Sequence, residues 1–170
     1  MVARRRRIAP VAARVARVSQ SNGPAVESTD RQILELLAKD GRMSYTDLGR
    51  ATGLSTSAVH QRVKRLEQRG LILGYGATVN YAEIGLPLTA FIAIRPIDPS
   101  APDDCPERLV DMPEIESCWS VAGAESYVLK VRTTSPAEME SLLARIRSVA
   151  NVSTRTTMVL STYYENRPVR

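Results

Sequence analysis

Apolar residues in the first part of the chain recur at the three- and four-residue spacing of amphipathic helices. Thr29 and Gln32 have the spacing of a capping box before the first stripe, and Ser44 and Ser55 occupy N-cap positions before the next two. Gly53 lies between the last two stripes and permits a tight turn. The pattern therefore predicts three helices that include a helix-turn-helix, at residues 30–39, 45–51 and 56–69.

The third helix has one apolar and one polar side. Val59, Val63 and Leu66 fall within a narrow arc and are expected to pack on the other two helices. Side chains of Ser, Gln, Lys and Arg on the opposite side can hydrogen-bond base edges and phosphates, and the major groove of B-form DNA admits one helix. Any surface helix is polar outside, but the preceding turn and the basic residues favour a DNA-reading role. The candidate DNA contacts are Ser55, Thr56, Ser57, His60, Gln61, Lys64, Arg65 and Gln68.

Several residues near this helix have two interpretations. Arg62 and Arg69 lie nearer its packed edge, where each suits an ion pair with a neighbouring acid as well as a phosphate contact. Residues 71–80 alternate and contain two glycines, which predicts a short β wing and an extended connector. Tyr75 in this wing either touches the DNA backbone or packs on the third helix.

The second half of the chain combines strand-like and helical segments. Their order, βαββαβ, predicts an α+β, ferredoxin-like layer with two helices on one face of an antiparallel sheet. We expect nothing in the chain to cover the other face, so the sheet should associate, most simply as a symmetric dimer. The strands are predicted at residues 88–95, 115–122, 126–133 and 152–160, and the helices at 103–112 and 136–149.

Positive charge is concentrated at the start of the chain. The net charge is +5, yet residues 1–25 alone carry six arginines and no acidic residue. Such a leader suits a disordered arm that adds nonspecific DNA affinity; an organelle transit peptide and an early start codon are the alternatives. Arg14 and Arg17 interrupt its apolar residues, so it has no secretory core. Residues 27–80 sum to +2 and residues 81–170 to −3, which places the anion-binding half first.

These patterns divide the chain into five parts. The first is a disordered basic leader, and the last is a short tail. Between them lie a winged helix-turn-helix domain, an extended linker and a ferredoxin-like oligomerisation and effector-binding domain. The boundaries are expected at 1–26, 27–74, 75–87, 88–165 and 166–170.

Several functional classes are excluded or disfavoured by composition. No apolar run is long enough to span a membrane, so we expect a cytoplasmic protein without a membrane partner. Cys105 and Cys118 are too few for a disulfide framework and lack metal-ligand spacing, so no metal site is expected. The second half contains no histidine and no nucleophile–base set. We therefore predict no catalytic residues and no cofactor; an enzymatic ferredoxin-like domain is the least favoured hypothesis.

A series of short motifs resembles the Lrp/AsnC, or feast/famine, regulators of bacteria and archaea, over about residues 27–165. The resemblance implies a helix-turn-helix domain, an amino-acid-sensing domain, dimers that often form octamers, and control of transcription. The motifs are Asp30-Arg31-Gln32-Ile33-Leu34, Asp40-Gly41-Arg42, Asp47-Leu48, Gly53-Leu54-Ser55, Val59, Arg62-Val63-Lys64-Arg65-Leu66-Glu67, Gly70-Leu71-Ile72 and Gly85-Leu86.

The resemblance also implies an effector site at the turn between the second and third strands of the second half. The family motif resembles Gly-Ala-x-Asp-Tyr, and here Ser126 stands where an aspartate is usual. A hydroxyl cannot supply the charge that would hold an ammonium group, although Glu125 lies next to it. Exposed N–H groups near Gly123 could receive a carboxylate; a plain hairpin connection is the alternative. The candidate effector-binding residues are Val121, Ala122, Gly123, Ala124, Glu125, Ser126 and Tyr127.

Two functions follow from these interpretations. The first is a sequence-specific DNA-binding transcriptional regulator whose assembly or DNA binding is modulated by an amino acid or related metabolite. Its partners would be double-stranded DNA, the effector and further copies of itself, as a homodimer or octamer. The second is an architectural protein that bends or compacts DNA with little or no effector response.

Overall fold

The computed structural model describes residues 26–168, which form two units. The described part of the first unit comprises residues 26–77 and 166–168, and the second comprises residues 78–165. The basic leader predicted at residues 1–26 therefore lies, but for its last residue, outside the described part. Within residues 26–168, no helix is both long and apolar enough to cross a membrane.

The first unit contains α1 (Ser28–Lys39), α2 (Tyr45–Thr52) and α3 (Thr56–Gln68). The predicted N-caps of α2 and α3 are confirmed: Ser44 Oγ accepts a hydrogen bond from the N–H of Asp47, and Ser55 Oγ accepts one from the N–H of Ala58. These bonds satisfy backbone donors that the first helical turn leaves free. The apolar stripes of α1 and α3 pack with Leu48 of α2 in one core, whose fully buried residues are Ile33, Leu48, Val59, Val63 and Leu66.

The predicted capping box at the start of α1 is wrong. The helix begins two residues earlier than expected, with Glu27 at the N-cap and no side-chain capping bond. Gln32 Nε2 instead donates to the carbonyl oxygen of Ala51 at 3.1 Å. Its amide therefore joins α1 to the end of α2.

The predicted β wing is also wrong, since residues 71–80 contain no strand. Gly70 leaves α3 with a φ of +70°, and the N–H groups of Leu71 and Ile72 both turn back to the carbonyl oxygen of Leu66. A strand needs a neighbour to satisfy its backbone groups. The described residues of this unit provide no such strand.

The second unit has the predicted βαββαβ order. Its sheet runs β2-β3-β1-β4 with every neighbouring pair antiparallel, which is the ferredoxin-like arrangement. The first helix is shorter than predicted, and the second and fourth strands each end two residues earlier than predicted. The elements are β1 (Leu88–Pro96), α4 (Cys105–Leu109), β2 (Ile115–Ser120), β3 (Tyr127–Thr133), α5 (Pro136–Ala150) and β4 (Val152–Met158).

One face of the sheet packs against the helices, and we call the opposite face the outer face. Phe91 and Trp119 are partly exposed there. The expectation that nothing in the chain covers this face is wrong in part, because residues 159–165 return towards it. The N–H of Val159 bonds the carbonyl oxygen of Thr89 at 2.9 Å, and the carboxylate of Glu165 pairs with buried Lys130.

Candidate nucleic-acid interface and ligand-binding turn

The side of α3 that faces away from the core is polar and exposed. All eight candidate DNA contacts, including Gln61 and Lys64, are exposed, whereas the apolar stripe is fully buried. His60 is partly oriented by Tyr45 of α2, since the ring centroids lie 5.4 Å apart with the planes tilted by 57°. Ser55 is engaged as the N-cap and lies 3.1 Å from the hydroxyl of Ser57. The predicted residues therefore share one surface.

The turn between α2 and α3 is tightly packed. A Cβ on Gly49 would lie 2.6 Å from the carbonyl oxygen of Leu54, and the N–H of Leu54 already donates to the carbonyl oxygen of Gly49 at 3.0 Å. Gly53 has a φ of +71°, a conformation that glycine adopts without steric cost. The backbone thus fixes the direction in which α3 leaves α2.

Arg62 forms the ion pair that was one of its two interpretations. Its guanidinium donates to the carboxylates of Asp30 at 2.7 Å and Glu27 at 2.9 Å. The hydrogen bond to Glu27, followed by that to Asp30, raises the pKa of Arg62. Arg62 therefore anchors α3 to the start of α1, whereas Arg69 makes no ion pair with any described residue.

Tyr75 packs on α3, which was one of its two interpretations; the other was a contact with the DNA backbone. Its hydroxyl donates to Glu67 Oε1 at 2.9 Å. Burial, and then the hydrogen bond and charge of Glu67, raise the pKa of Tyr75 to about 12. The residue therefore holds the segment after α3 against that helix.

The turn between β2 and β3 is closed at its base and open at its tip. The N–H of Val121 donates to the carbonyl oxygen of Ser126, and the N–H of Ser126 donates to that of Ile94, both at 3.0 Å. Within the described part of the chain, the backbone N–H groups of residues 122–125 have no acceptor. A Cβ on Gly123 would meet nothing within 4 Å. A ligand carboxylate has open access to this tip.

The charge at the turn is balanced by a residue that the sequence reasoning missed. Glu125 Oε1 lies 2.6 Å from Nη2 of Arg155, which is on the outer face of β4, across β1 from β3. Arg155 is mostly exposed, while Glu125 is largely covered. The ferredoxin strand order, together with alternation along β4, was the signal that could have found this pair.

Tyr127 is the one candidate effector residue whose side chain is in the core. The ring is buried, and its hydroxyl donates to the Asp103 carboxylate. Burial, followed by that hydrogen bond, raises the pKa of Tyr127. Because Leu129 and Val131 lie on the same side of β3, strand alternation places Tyr127 with them.

Groups suited to metal binding are not assembled in the described residues. No set of three or more His, Cys, Asp or Glu side chains there could hold a metal ion. Cys105 is buried and Cys118 is exposed, and both are free thiols.

Both units match family models. Residues 27–67 match the AsnC-type helix-turn-helix domain, and residues 89–169 match the Lrp/AsnC ligand binding domain. The HTH-type transcriptional regulator LrpA of Mycobacterium tuberculosis is 52% identical over 143 residues, which span 84% of this chain and 95% of that protein. The chain belongs to the Lrp/AsnC family. It is accordingly a DNA-binding transcription regulator with a ligand-binding domain, and not an enzyme.

Solved structures of other transcriptional regulators share this architecture. The feast or famine regulatory protein of M. tuberculosis, complexed with L-methionine, is 51% identical with a TM-score of 0.84; the match covers 85% of this chain and 99% of that one. A Neisseria meningitidis transcriptional regulator, also in complex with L-methionine, is 25% identical with a TM-score of 0.76; the match covers 83% of this chain and 94% of that one.

Proposed function

We propose that this Lrp/AsnC regulator reads a specific DNA sequence with α3 and that an amino acid bound at residues 121–127 changes its assembly or DNA affinity. The observation that carries the proposal is the exposed polar side of α3, held in place by a buried stripe and a sterically fixed turn. The L-methionine complexes of the two relatives support an amino acid as the effector.

On the DNA side, Gln61 and Lys64 are assigned different roles. The amide of Gln61 can form paired hydrogen bonds with a base edge, whereas the Lys64 ammonium suits a phosphate. Gln61→Ala should cost about 1–3 kcal/mol on the operator and relax its specificity. Lys64→Ala should weaken binding to all sequences and reduce the salt slope by about one.

Fluorescence anisotropy with operator and random duplexes over a range of salt concentrations measures both effects. Lys39→Ala is the matched control, because Lys39 is an exposed lysine at the end of α1 and not on α3. Gln61→Ala and Lys64→Ala variants that bind like the wild-type protein would remove α3 from the interface.

On the effector side, the open N–H groups of residues 122–125 suit the α-carboxylate of an amino acid. Glu125 supplies the carboxylate for an ammonium group that Ser126 cannot. Because Arg155 already neutralises Glu125, the ligand ammonium must compete with it. This competition favours modest affinity.

The effector would act by favouring one assembly of subunits over another. A ligand shifts an equilibrium only by its difference in affinity between the two states. We assign the partly exposed outer face, including Phe91 and Trp119, to the contact within a cytoplasmic homodimer, with an octamer as the larger form. Two α3 helices must meet grooves about one helical turn apart, so small changes in subunit arrangement alter DNA affinity.

A ligand titration tests the effector role. L-methionine and the other amino acids are added during footprinting and during light scattering of the full chain. Gly123→Val should block the tip of the turn and raise the ligand concentration required at least tenfold. Gly76→Val is the matched control, since a Cβ there also meets nothing within 4 Å. If no amino acid changes either protection or assembly size, the architectural function replaces the effector-controlled one.

A further inference from the structure

The second unit contains another pocket, at the end of the β2–β3 hairpin opposite the glycine turn. Its volume is about 340 Å³, which falls at the small end of the usual range for ligand pockets. Arg132 lies five positions after Tyr127 on β3, so roughly 17 Å of strand lies between the pocket and the turn. The lining residues are Tyr81, Leu86, Pro113, Glu114, Glu116 and Arg132.

One wall of the pocket is formed by a closed turn. The N–H of Leu86 donates to the carbonyl oxygen of Tyr81 at 2.9 Å, and the N–H of Gly85 donates to that of Ala82 at 3.1 Å. Gly85 has a φ of +86°, which glycine tolerates. The guanidinium of Arg132 lies 4.2 Å from the centre of the Tyr81 ring. These contacts hold the apolar wall against the charged one before any ligand arrives.

The cationic wall retains hydrogen-bonding capacity. Nε of Arg132 donates to Glu116 at 2.6 Å, Nη1 to Thr89 at 2.9 Å and Nη2 to Glu165 at 3.3 Å. A guanidinium has five N–H donors. Of these, two have no acceptor among the described residues, and a carboxylate can accept from both.

The anionic wall contains an unsatisfied carboxylate oxygen. Oε1 of Glu114 pairs with Arg145, but Oε2 is buried without a hydrogen-bond partner in residues 26–168, the one such side-chain atom there. A buried acceptor without a donor is costly. Glu114 also lines the pocket, and a turn of its carboxylate towards the cavity would bring this oxygen to a ligand ammonium group.

The charges around the pocket balance. Three carboxylates (Glu114, Glu116 and Glu165) are paired with three cations (Lys130, Arg132 and Arg145). A ligand with a net charge would upset this balance, whereas a zwitterion would not. The apolar wall of Tyr81, Leu86 and Pro113 suits a hydrocarbon, thioether or aromatic side chain.

We propose that this pocket is a second small-molecule site, which takes an α-amino acid with an apolar side chain. The ligand carboxylate binds the free N–H groups of Arg132, its ammonium binds Glu114, and its side chain lies between Tyr81 and Leu86. The site is separate from the turn at residues 121–127 and does not depend on it.

Equilibrium dialysis of the full chain with L-leucine, L-methionine and L-phenylalanine tests the site. Leu86→Trp fills the pocket and should remove one bound ligand per chain, while Gly123→Val should leave that ligand bound. Leu160→Trp is the matched control, because Leu160 is exposed outside the pocket. Circular dichroism and thermal unfolding establish that each variant is folded.

A milder change tests the chemistry if the tryptophan variant does not fold. Glu114→Gln keeps the shape and should weaken binding about tenfold to a hundredfold, since it removes a charged hydrogen-bond partner; Glu140→Gln, an exposed acid on α5, is its control. N-acetyl-L-methionine and L-methioninamide each lack one charge and should both bind more weakly than L-methionine.

The outcomes separate this site from the proposed effector turn. Binding that survives Gly123→Val and is lost with Leu86→Trp or weakened by Glu114→Gln supports the pocket, even if the turn binds nothing. Binding that disappears with Gly123→Val and is unaffected by both pocket variants overturns the second site. Failure of all three amino acids to bind at millimolar concentration also overturns it.

Discussion

Arg62 joins α3 to α1, and its replacement should loosen the first unit without altering the DNA-facing side of α3. Its guanidinium lies 2.7 Å from Asp30, whose side chain is 3% exposed, and 2.9 Å from Glu27, whose side chain is 62% exposed. Removing one partner of a buried ion pair costs about 3–5 kcal/mol, because the remaining charge stays desolvated. The exposed Glu27 contact adds at most about 1 kcal/mol.

Partial solvent access reduces the expected effect. The Arg62 side chain is 24% exposed, so water reaches the Asp30 carboxylate more readily once the guanidinium is gone. We expect Arg62→Met to lower the free energy of local opening of α1 and α3 by about 2–3 kcal/mol. Hydrogen exchange of these helices in the full chain measures that free energy directly.

A double variant separates the structural role of Arg62 from a phosphate contact. Arg62→Met combined with Asp30→Leu replaces the pair by apolar side chains and should restore most of the lost protection. Its salt slope for DNA binding should equal that of the wild-type protein. Unchanged exchange in Arg62→Met, together with a salt slope reduced by about one, would refute the reasoning and assign Arg62 to the DNA backbone.

Three further outcomes are expected. Gly49→Ala should destabilise the first unit by about 1–3 kcal/mol and weaken DNA binding, because its Cβ would lie 2.6 Å from the Leu54 carbonyl oxygen. Thermal unfolding and fluorescence anisotropy measure the two effects. Gly76→Ala, at a position where a Cβ meets nothing within 4 Å, should change neither stability nor binding. Burial raises the pKa of Glu116, but bonds from two cations outweigh it and hold the pKa below the ordinary 4.5. Its stabilising effect is therefore present above pH 4.5 and lost as the pH falls through the lowered value, and Glu116→Gln should flatten the acid side of a plot of unfolding midpoint against pH. Deletion of residues 1–25 should weaken operator and random DNA equally and reduce the salt slope; unchanged binding would show that the six arginines make no phosphate contact.

Local rules were enough to predict the helices that form the DNA-reading unit. Ser44 and Ser55 cap α2 and α3, and the buried stripe of α3 is the predicted one, because capping and helical periodicity depend on residues close in sequence. The prediction of a β wing was wrong because strand formation also depends on residues that are distant in sequence. Alternation in residues 71–80 was real, but a strand also needs a partner, and short-range patterns do not provide one.

Tertiary contacts explain the other differences. Asp30 was placed at a helix start, where an acid is usually solvated, yet the approach of Arg62 buries it. Glu125 was identified by its position in a motif, but its neutralisation by Arg155 depends on strand order and side-chain reach together. Tyr127 illustrates a conflict between two sequence signals, since the motif favoured the turn and strand alternation favoured the core; the structure follows alternation.

The ion pairs of Glu165 make the stability of the sheet depend on residues that follow its last strand. Terminal residues without regular structure can usually be removed, by proteolysis or by a truncated gene, with little loss of stability. Here, loss of the last six residues would remove Glu165 and leave Lys130, which is 6% exposed, and Arg132 to share Glu116. The sheet is therefore sensitive to a truncation that leaves every helix and strand within residues 26–168 intact.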